Sequence, residues 1–361
     1  MTEVAAIAAG GQKGFDSAFT KMSAKALEMA GATEYSATQV GGAMKFMAMA
    51  GMGVTKTMEG LPAVLQLASA SGLQLAEAAD VVTNIMTSMG KKASELGEVN
   101  NILVGVFTHA NVSLQELGES FKYAGSIAKT VGVSTEELAA SIGVLGNVGI
   151  KGSQAGTGLR KIMISMHAAT GRAKDSMNAM GVSVKDISGP GGGIATLVKK
   201  LELAKKAIGA DAFTGHAMTL FGIRAGPQLA ALVDQGADSI RNLTDEAIKA
   251  NKQNFAKFLA EKKLGTIVGK WELLKSAIEK VAIQFGSKLA PTATMVIESL
   301  SGIANHVGGM SDKMKSAIST TALWTTGILG TVTAIAGMIS ITGYAITGIM
   351  SFVGAMKTLF L

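Results

Sequence analysis

The sequence has no cysteine, which excludes disulfide bonds and thiolate metal sites. Proline occurs only 4 times in 361 residues and aromatic residues make up 5%, whereas 45 residues are glycine and 21 are methionine. A compact globular enzyme builds its core from large aliphatic and aromatic side chains, so this composition is unusual for an enzyme. It suits thin helices that pack closely against neighbours or copies of themselves. A soluble, alanine-rich helical domain is the alternative that composition leaves open.

Catalytic and metal-binding motifs are also lacking. The sequence contains neither H-E-x-x-H nor G-x-S-x-G, and no histidine has a second one at the spacing of a metal-binding pair. The histidines are His109, His167, His216 and His306. The acidic pairs Glu136/Glu137 and Asp245/Glu246 are predicted in first turns of helices, where they complement the helix dipole. We therefore predict no catalytic, cofactor-binding or metal-binding residue, no cofactor, and no enzymatic activity.

Charge is modest, with a formal net charge of +7 and a sequence pI of about 9.4. A basic excess favours contact with nucleic acid or anionic lipid, although the lysines here are scattered along the chain. The first residues, MTEVAAIAAGGQKGF, lack the basic start and the long apolar run of a secretory signal, so synthesis in the cytoplasm is expected.

From residue 31 to about residue 250 one plan recurs: a glycine, a Ser/Thr cap, an apolar-periodic helix, and another glycine. Capping boxes are predicted at Ser36/Gln39, Ser113/Glu116 and Ser134/Glu137. Leu73–Met89 is the clearest amphipathic helix. Helix starts recur about every twenty residues, near Ser36, Thr55, Leu73, Ser94, Ser113 and Ser134. We predict an all-α fold of short amphipathic helices and helical hairpins, rather than a true solenoid.

Two glycine-rich stretches interrupt this plan. Gly149–Gly158 is predicted as a loop between two helices, the second starting near Leu159. It lacks the Gly-Lys-Ser/Thr ending of a phosphate-binding loop and no strand precedes it, so a structural turn is favoured. Ser188–Gly193 is the strongest break in the chain and a candidate hinge. Met1–Gly14 is predicted to be loose.

The later sequence differs. Leu243–Gly286 loses glycine and gains lysine and glutamate, and residues 251–315 are predicted to form longer amphipathic, coiled-coil-like helices. The segment Ser316–Met356 has no charged residue and is apolar enough to cross a membrane once or twice, or to be buried as a hairpin. The predicted divisions are 1–30 (N-terminal segment with a short helix), 31–250 (helical core), 251–315 (amphipathic helices) and 316–361 (hydrophobic, transmembrane or buried).

Several stretches carry a family resemblance. The most specific is GIKGSQAGT at Gly149–Thr157; others are GATEYSATQVGGAMKFMAMAGM, FGIRAGPQLAALV and FGSKLAPTATMVIESL. From roughly Phe15 to Leu300 the chain resembles the core region of phage tail tape measure proteins. A hydrophobic block after such a core is also usual in that family.

The resemblance implies a structural virion protein of a long-tailed phage or prophage. Such proteins lie in the tail lumen as extended helices, set tail length during assembly, and leave ahead of the DNA to aid genome passage across the host inner membrane. Implied partners are the tail tube protein, tail assembly chaperones, baseplate or tail-tip proteins, further copies in a helical bundle, the host inner membrane and, transiently, DNA. Family members are commonly much longer, which suggests a short, truncated or split product. A pore-forming or membrane-inserting helical protein is the alternative.

Overall fold

The computed structural model of the protein describes residues 1–223, 225–266, 268–281, 283–284 and 286. The chain divides into two compact units, Met1–Lys270 and Trp271–Leu361. Every regular element in the described residues is helical, which confirms the all-α prediction. In the second unit, residues 271–281 are helical. The four-part division predicted from the sequence stays a prediction.

The α-helices of the first unit follow one another, most of them with short connections. Their bounds are α1 Thr2–Ala9, α2 Phe15–Ala30, α3 Ala37–Met49, α4 Val54–Ser71, α5 Leu75–Met89, α6 Leu96–His109, α7 Leu114–Val131, α8 Thr135–Asn147, α9 Gly152–Ala168, α10 Arg172–Ala179, α11 Ile194–Ile208, α12 Ala210–Phe221, α13 Gly226–Gln235, α14 Ala237–Lys252 and α15 Phe255–Leu264. Short 3₁₀ turns occur at Ala93–Glu95 and Val184–Asp186.

Helices alternate between two layers. In the first layer, α3, α5, α7 and α9 lie side by side, each against the next; in the second, α4, α6 and α8 do the same. The chain then returns along the second layer, because α14 packs on α6 and α8 and α15 packs on α4. Successive helical hairpins, as predicted, therefore stack against one another, and α14 and α15 cover one face of the stack.

Small residues allow the helices of each layer to approach closely. A β-carbon at Gly118 of α7 would lie 2.6 Å from Val81 Cγ1 of α5, and one at Gly105 of α6 would lie 2.7 Å from Ala250 Cβ of α14. Real β-carbons essentially never come so near another carbon, so only glycine fits. The glycine content thus serves helix packing as well as helix ends.

The predicted apolar face of α5 is confirmed. The apolar residues that recur at helical spacing in it are all buried: Leu75, Ala78, Ala79, Val82, Ile85, Met86 and Met89. The capping boxes at Ser36/Gln39 and Ser113/Glu116 form as predicted, with both reciprocal bonds present. Local signals were therefore sufficient where the capping partner lies three residues away.

Two local predictions were wrong. The N-terminus is not loose, because α1 buries Val4 and Ala5 and packs on α2 and α3. Gly236, whose φ is 85°, separates α13 from α14. The pair Asp245/Glu246 consequently lies in the middle of α14.

The charge-free segment Ser316–Met356 lies outside the described residues. Among the helices that are described, none has the length and apolar character needed to span a membrane.

Candidate functional site

The stretch Gly149–Gly158, which carries the most specific motif, is mostly helix. α9 begins at Gly152, so the connection from α8 is only Val148–Lys151, and Gly156 and Gly158 are helical. The prediction of a turn between two helices is confirmed, but the predicted loop was too long. The glycine-rich composition predicted a break between helices, whereas Gly156 and Gly158 are helical residues at packing contacts.

The contact between α7 and α9 explains these glycines. A β-carbon at Gly156 would lie 2.8 Å from Ser120 Cα and 3.0 Å from Ser120 C, so the backbones of the two helices touch there. Beside it, the fully buried hydroxyl of Ser120 donates to the carbonyl oxygen of Gly152 at 2.8 Å. We call the residues Ser120, Gly152 and Gly156 the α7–α9 clasp. It fixes the register of two neighbouring helices of the first layer.

Lys151, immediately before α9, contacts polar side chains near the ends of neighbouring helices. Lys151 Nζ lies 3.2 Å from Asn111 Oδ1 and 3.6 Å from Glu116 Oε2. The backbone N–H of Asn111 donates to Asn147 Oδ1 at 2.7 Å. Lys151 therefore braces the corner between α6, α7 and α9. This arrangement supports the structural turn over a phosphate cradle.

Glu137 has a different role from the predicted one. Ser134 Oγ accepts the Glu137 N–H at 3.1 Å, as a capping residue should. The Glu137 carboxylate instead reaches the start of α11, where Oε1 accepts the Ala195 N–H at 2.8 Å. The capping box at Ser134/Glu137 is thus only half formed, because the carboxylate is used in a contact that spans 58 residues.

Burial governs the acidity of this carboxyl. Desolvation raises the pKa of Glu137 above its usual range, although hydrogen bonds from the backbone N–H groups at the start of α11 oppose this shift. A half-buried carboxyl group at a helix N-terminus, such as that of Glu137, satisfies N–H groups that have no partner inside the helix.

Two later helices are likewise capped at their N-termini by a side chain from another helix. Glu202 Oε1 accepts the N–H of Ala237 at the start of α14, and Asn101 Oδ1 accepts the N–H of Ala256 at the start of α15, the latter at 2.9 Å. None of α11, α14 and α15 has a capping side chain of its own at the N-cap position. Side chains of α8, α11 and α6 therefore cap α11, α14 and α15 respectively. The only sequence signal is that glycine precedes α11 and α14.

The candidate hinge Ser188–Gly193 is held by hydrogen bonds at its C-terminal end. The N–H of Gly193 donates to the Asp186 carbonyl at 3.0 Å, and Thr196 Oγ1 donates to the Gly191 carbonyl at 3.0 Å. Asp186 also pairs with Lys200 at 2.7 Å. Burial alone would raise the pKa of Asp186, but Lys200 and Ser183 outweigh it and lower that pKa. These bonds count against free movement at this loop.

His109, His167 and His216 have separate hydrogen-bonding partners. His109 Nδ1 is 2.8 Å from the Gly105 carbonyl, His167 Nε2 is 3.1 Å from Ser188 Oγ, and His216 Nδ1 is 3.2 Å from Ser176 Oγ. His306 lies outside the described residues. In the part of the chain that the structure describes, no group of three His, Cys, Asp or Glu residues could hold a metal ion.

Comparison with known proteins decides the family. The model of the phage-related minor tail protein family matches residues 23–222, more than half of the chain. The chain belongs to this family. The match includes the α7–α9 clasp and both sides of the Glu137 contact, and it ends near the close of α12. The resemblance found in the sequence is thereby confirmed.

Two relatives carry more specific names. The tape measure protein of Pneumococcus phage Dp-1 is 28% identical over 291 residues, which cover 81% of this chain and 25% of that protein. The probable tape measure protein of Escherichia phage P2 is 29% identical over 230 residues, covering 61% of this chain and 27% of that protein. The chain therefore spans about a quarter of the length of these relatives. No solved structure matches it. The comparisons give no support to a pore-forming protein.

Proposed function

We propose that this minor tail protein acts as a tail tape measure: it lies in the tail lumen, sets tail length during assembly, and leaves ahead of the genome at infection. The similarity to two phage tape measure proteins, one of them over 81% of the chain, is the observation that supports this most directly. The experiment that tests it is the length of tails assembled with a shortened chain. The role is structural, with no catalytic step.

A tape measure protein sets tail length by its own length along the tube, so the conformation of this chain matters. Fully helical and extended, 361 residues would reach about 540 Å at ~1.5 Å per residue. Met1–Lys270 is instead folded into layers, so it does not have the extended form that the resemblance implied. We infer that tail length depends on the number of residues once this unit has opened along the tube.

The proposed partners follow from the tail location. They are the tail tube protein, tail assembly chaperones, baseplate or tail-tip proteins and other copies of the chain in a helical bundle. Contact with the host inner membrane during ejection is proposed from the sequence of Ser316–Met356 alone. Synthesis of the chain in the host cytoplasm precedes tail assembly.

Transient DNA contact is proposed for the outer surface of α7 and α9. Four cations on these neighbouring helices are exposed, and none pairs with a carboxylate in the described residues. They are Lys122, Lys129, Arg160 and Lys161. Tyr123, an exposed aromatic residue, lies beside Lys122. Unpaired cations attract phosphates and release counterions from DNA, whereas paired ones contribute less.

Replacing these four cations by glutamine is expected to weaken the binding of double-stranded DNA. The slope of log affinity against log salt concentration should decrease in magnitude by about 3 to 4. The measurement is a titration of labelled DNA at several salt concentrations. A control variant carries glutamine at four other exposed lysines, Lys13, Lys21, Lys56 and Lys206, which changes net charge equally. Equal weakening by both variants would show that net charge, and not this surface, is responsible.

A further inference from the structure

The corner between α14 and α15 depends on one unusual residue. Asn254 has φ 49° and ψ 48°, the left-handed conformation, and is the one non-glycine residue with positive φ in the described chain. Helices elsewhere that end on a left-handed residue use glycine, as at Gly72, Gly90 and Gly132. Glycine takes this conformation without steric cost, whereas asparagine only tolerates it.

Few side chains hold α15 in place beyond this corner. Its fully buried side chains are the small ones of Ala256 and Ala260, while Phe255 and Leu259 are partly buried. Two polar contacts tie its ends to the layers: the Asn101 cap on the Ala256 N–H, and Lys263 Nζ, which donates to the Ser69 carbonyl at 2.7 Å. Detaching α15 would therefore expose little apolar surface for its length.

The sequence across the corner is compatible with an unbroken helix. From Ala237 to Leu264 the chain has neither glycine nor proline, and the residues that follow the corner, FAKFLAEKKL, are mostly good helix formers. The N–H of Phe258 already donates to the Asn254 carbonyl, so α15 starts immediately after the corner. Rotation of Asn254 into the right-handed helical region is the main backbone change needed to join the two helices.

We propose that Asn254 is a two-state joint, which holds α15 folded back on α4 in one state and joins α14 and α15 into a single helix in the other. The joined helix, Ala237–Leu264, would be about 42 Å long. The inference rests on the backbone and contacts of this corner and does not require the proposed tail function. If both hold, the joint is a place where the compact unit starts to lengthen.

Substitutions at Asn254 should shift the two states in opposite directions. Alanine disfavours the left-handed conformation and favours the helix, so Asn254→Ala should raise the ratio of joined to folded-back molecules about tenfold. Asn254→Gly is the matched control, because glycine favours the left-handed corner and should lower that ratio about fivefold. Asn101→Ala removes the cap on α15 and should act in the same direction as Asn254→Ala.

The readout is the distance between two spin labels in the full chain. Because the protein has no cysteine, labels can be attached at Asn242→Cys on α14 and Glu261→Cys on α15, both exposed positions. In the joined helix these positions are about 28 Å apart along the axis, and any corner between them gives a shorter distance. Far-ultraviolet circular dichroism confirms that each variant is folded.

The expected result is a second population near the long distance, enlarged by Asn254→Ala and by Asn101→Ala and diminished by Asn254→Gly. The same single short distance in all folded variants would overturn the proposal, because the corner would then be fixed whatever residue occupies position 254.

Discussion

Replacing Gly156 by alanine is expected to lower the free energy of unfolding by about 3 kcal/mol. The added β-carbon would lie 2.8 Å from Ser120 Cα, and the obstacle is the backbone of α7, which cannot rotate away as a side chain could. To make room, α9 must move from α7, and the buried hydrogen bond from Ser120 to the Gly152 carbonyl would lengthen or break. Urea unfolding followed by circular dichroism measures the change.

Gly215→Ala provides the matched control. Gly215 lies inside α12, and a β-carbon there would have no heavy atom within 4 Å. Alanine has the higher helix propensity, so this variant should be stabilised by roughly 0.5–1 kcal/mol. If Gly156→Ala were as stable as Gly215→Ala, α7 and α9 would not be in backbone contact and the clasp would be wrong.

Replacing Glu137 by alanine is expected to cost about 2 kcal/mol, because the Ala195 N–H at the start of α11 would lose its partner in a half-buried place. Glu137→Gln keeps an oxygen that can accept the same bond and should lose much less. The comparison of the two variants by urea unfolding separates the capping contact from the rest of the side chain. Equal losses would mean that the carboxylate charge, rather than the hydrogen bond, stabilises this contact.

The raised pKa of Glu137 gives this pair of variants a pH dependence. A carboxyl whose pKa is higher in the folded than in the unfolded state binds protons more readily when folded. Its contribution to stability is therefore greatest below the ordinary glutamate pKa and declines as pH rises through the raised value. Wild type should thus lose stability relative to Glu137→Gln over that interval. A difference that grows in the opposite direction would show that the pKa is lowered.

Much of the fold could be predicted because its signals are local. The amphipathic helix predicted over Leu73–Met89 corresponds to α5, and the buried face of α5 follows from helical periodicity. The capping boxes at Ser36 and Ser113 place both partners within one turn, so the sequence contains the whole interaction.

The remaining features depend on residues far apart in the chain. Gly156 reads as a helix breaker until α7 is placed beside it, and Glu137 reads as half of a capping box until α11 is brought to it. The return of α14 and α15 over the second layer likewise has no local signature, because it depends on small residues such as Gly105 and Ala250 meeting across the interface. Tertiary packing decided each of these cases.

Tail length is the most direct test of the proposed tape measure function. The measurement is electron microscopy of tails from phage whose chain lacks residues 73–120, with Gly156→Ala phage as a control that weakens the fold without changing residue number. We predict tails shorter by about 70 Å for the deletion, at ~1.5 Å per deleted residue, and tails of normal length for the point variant. Tails of normal length that contain the shortened chain would contradict a measuring role for this protein.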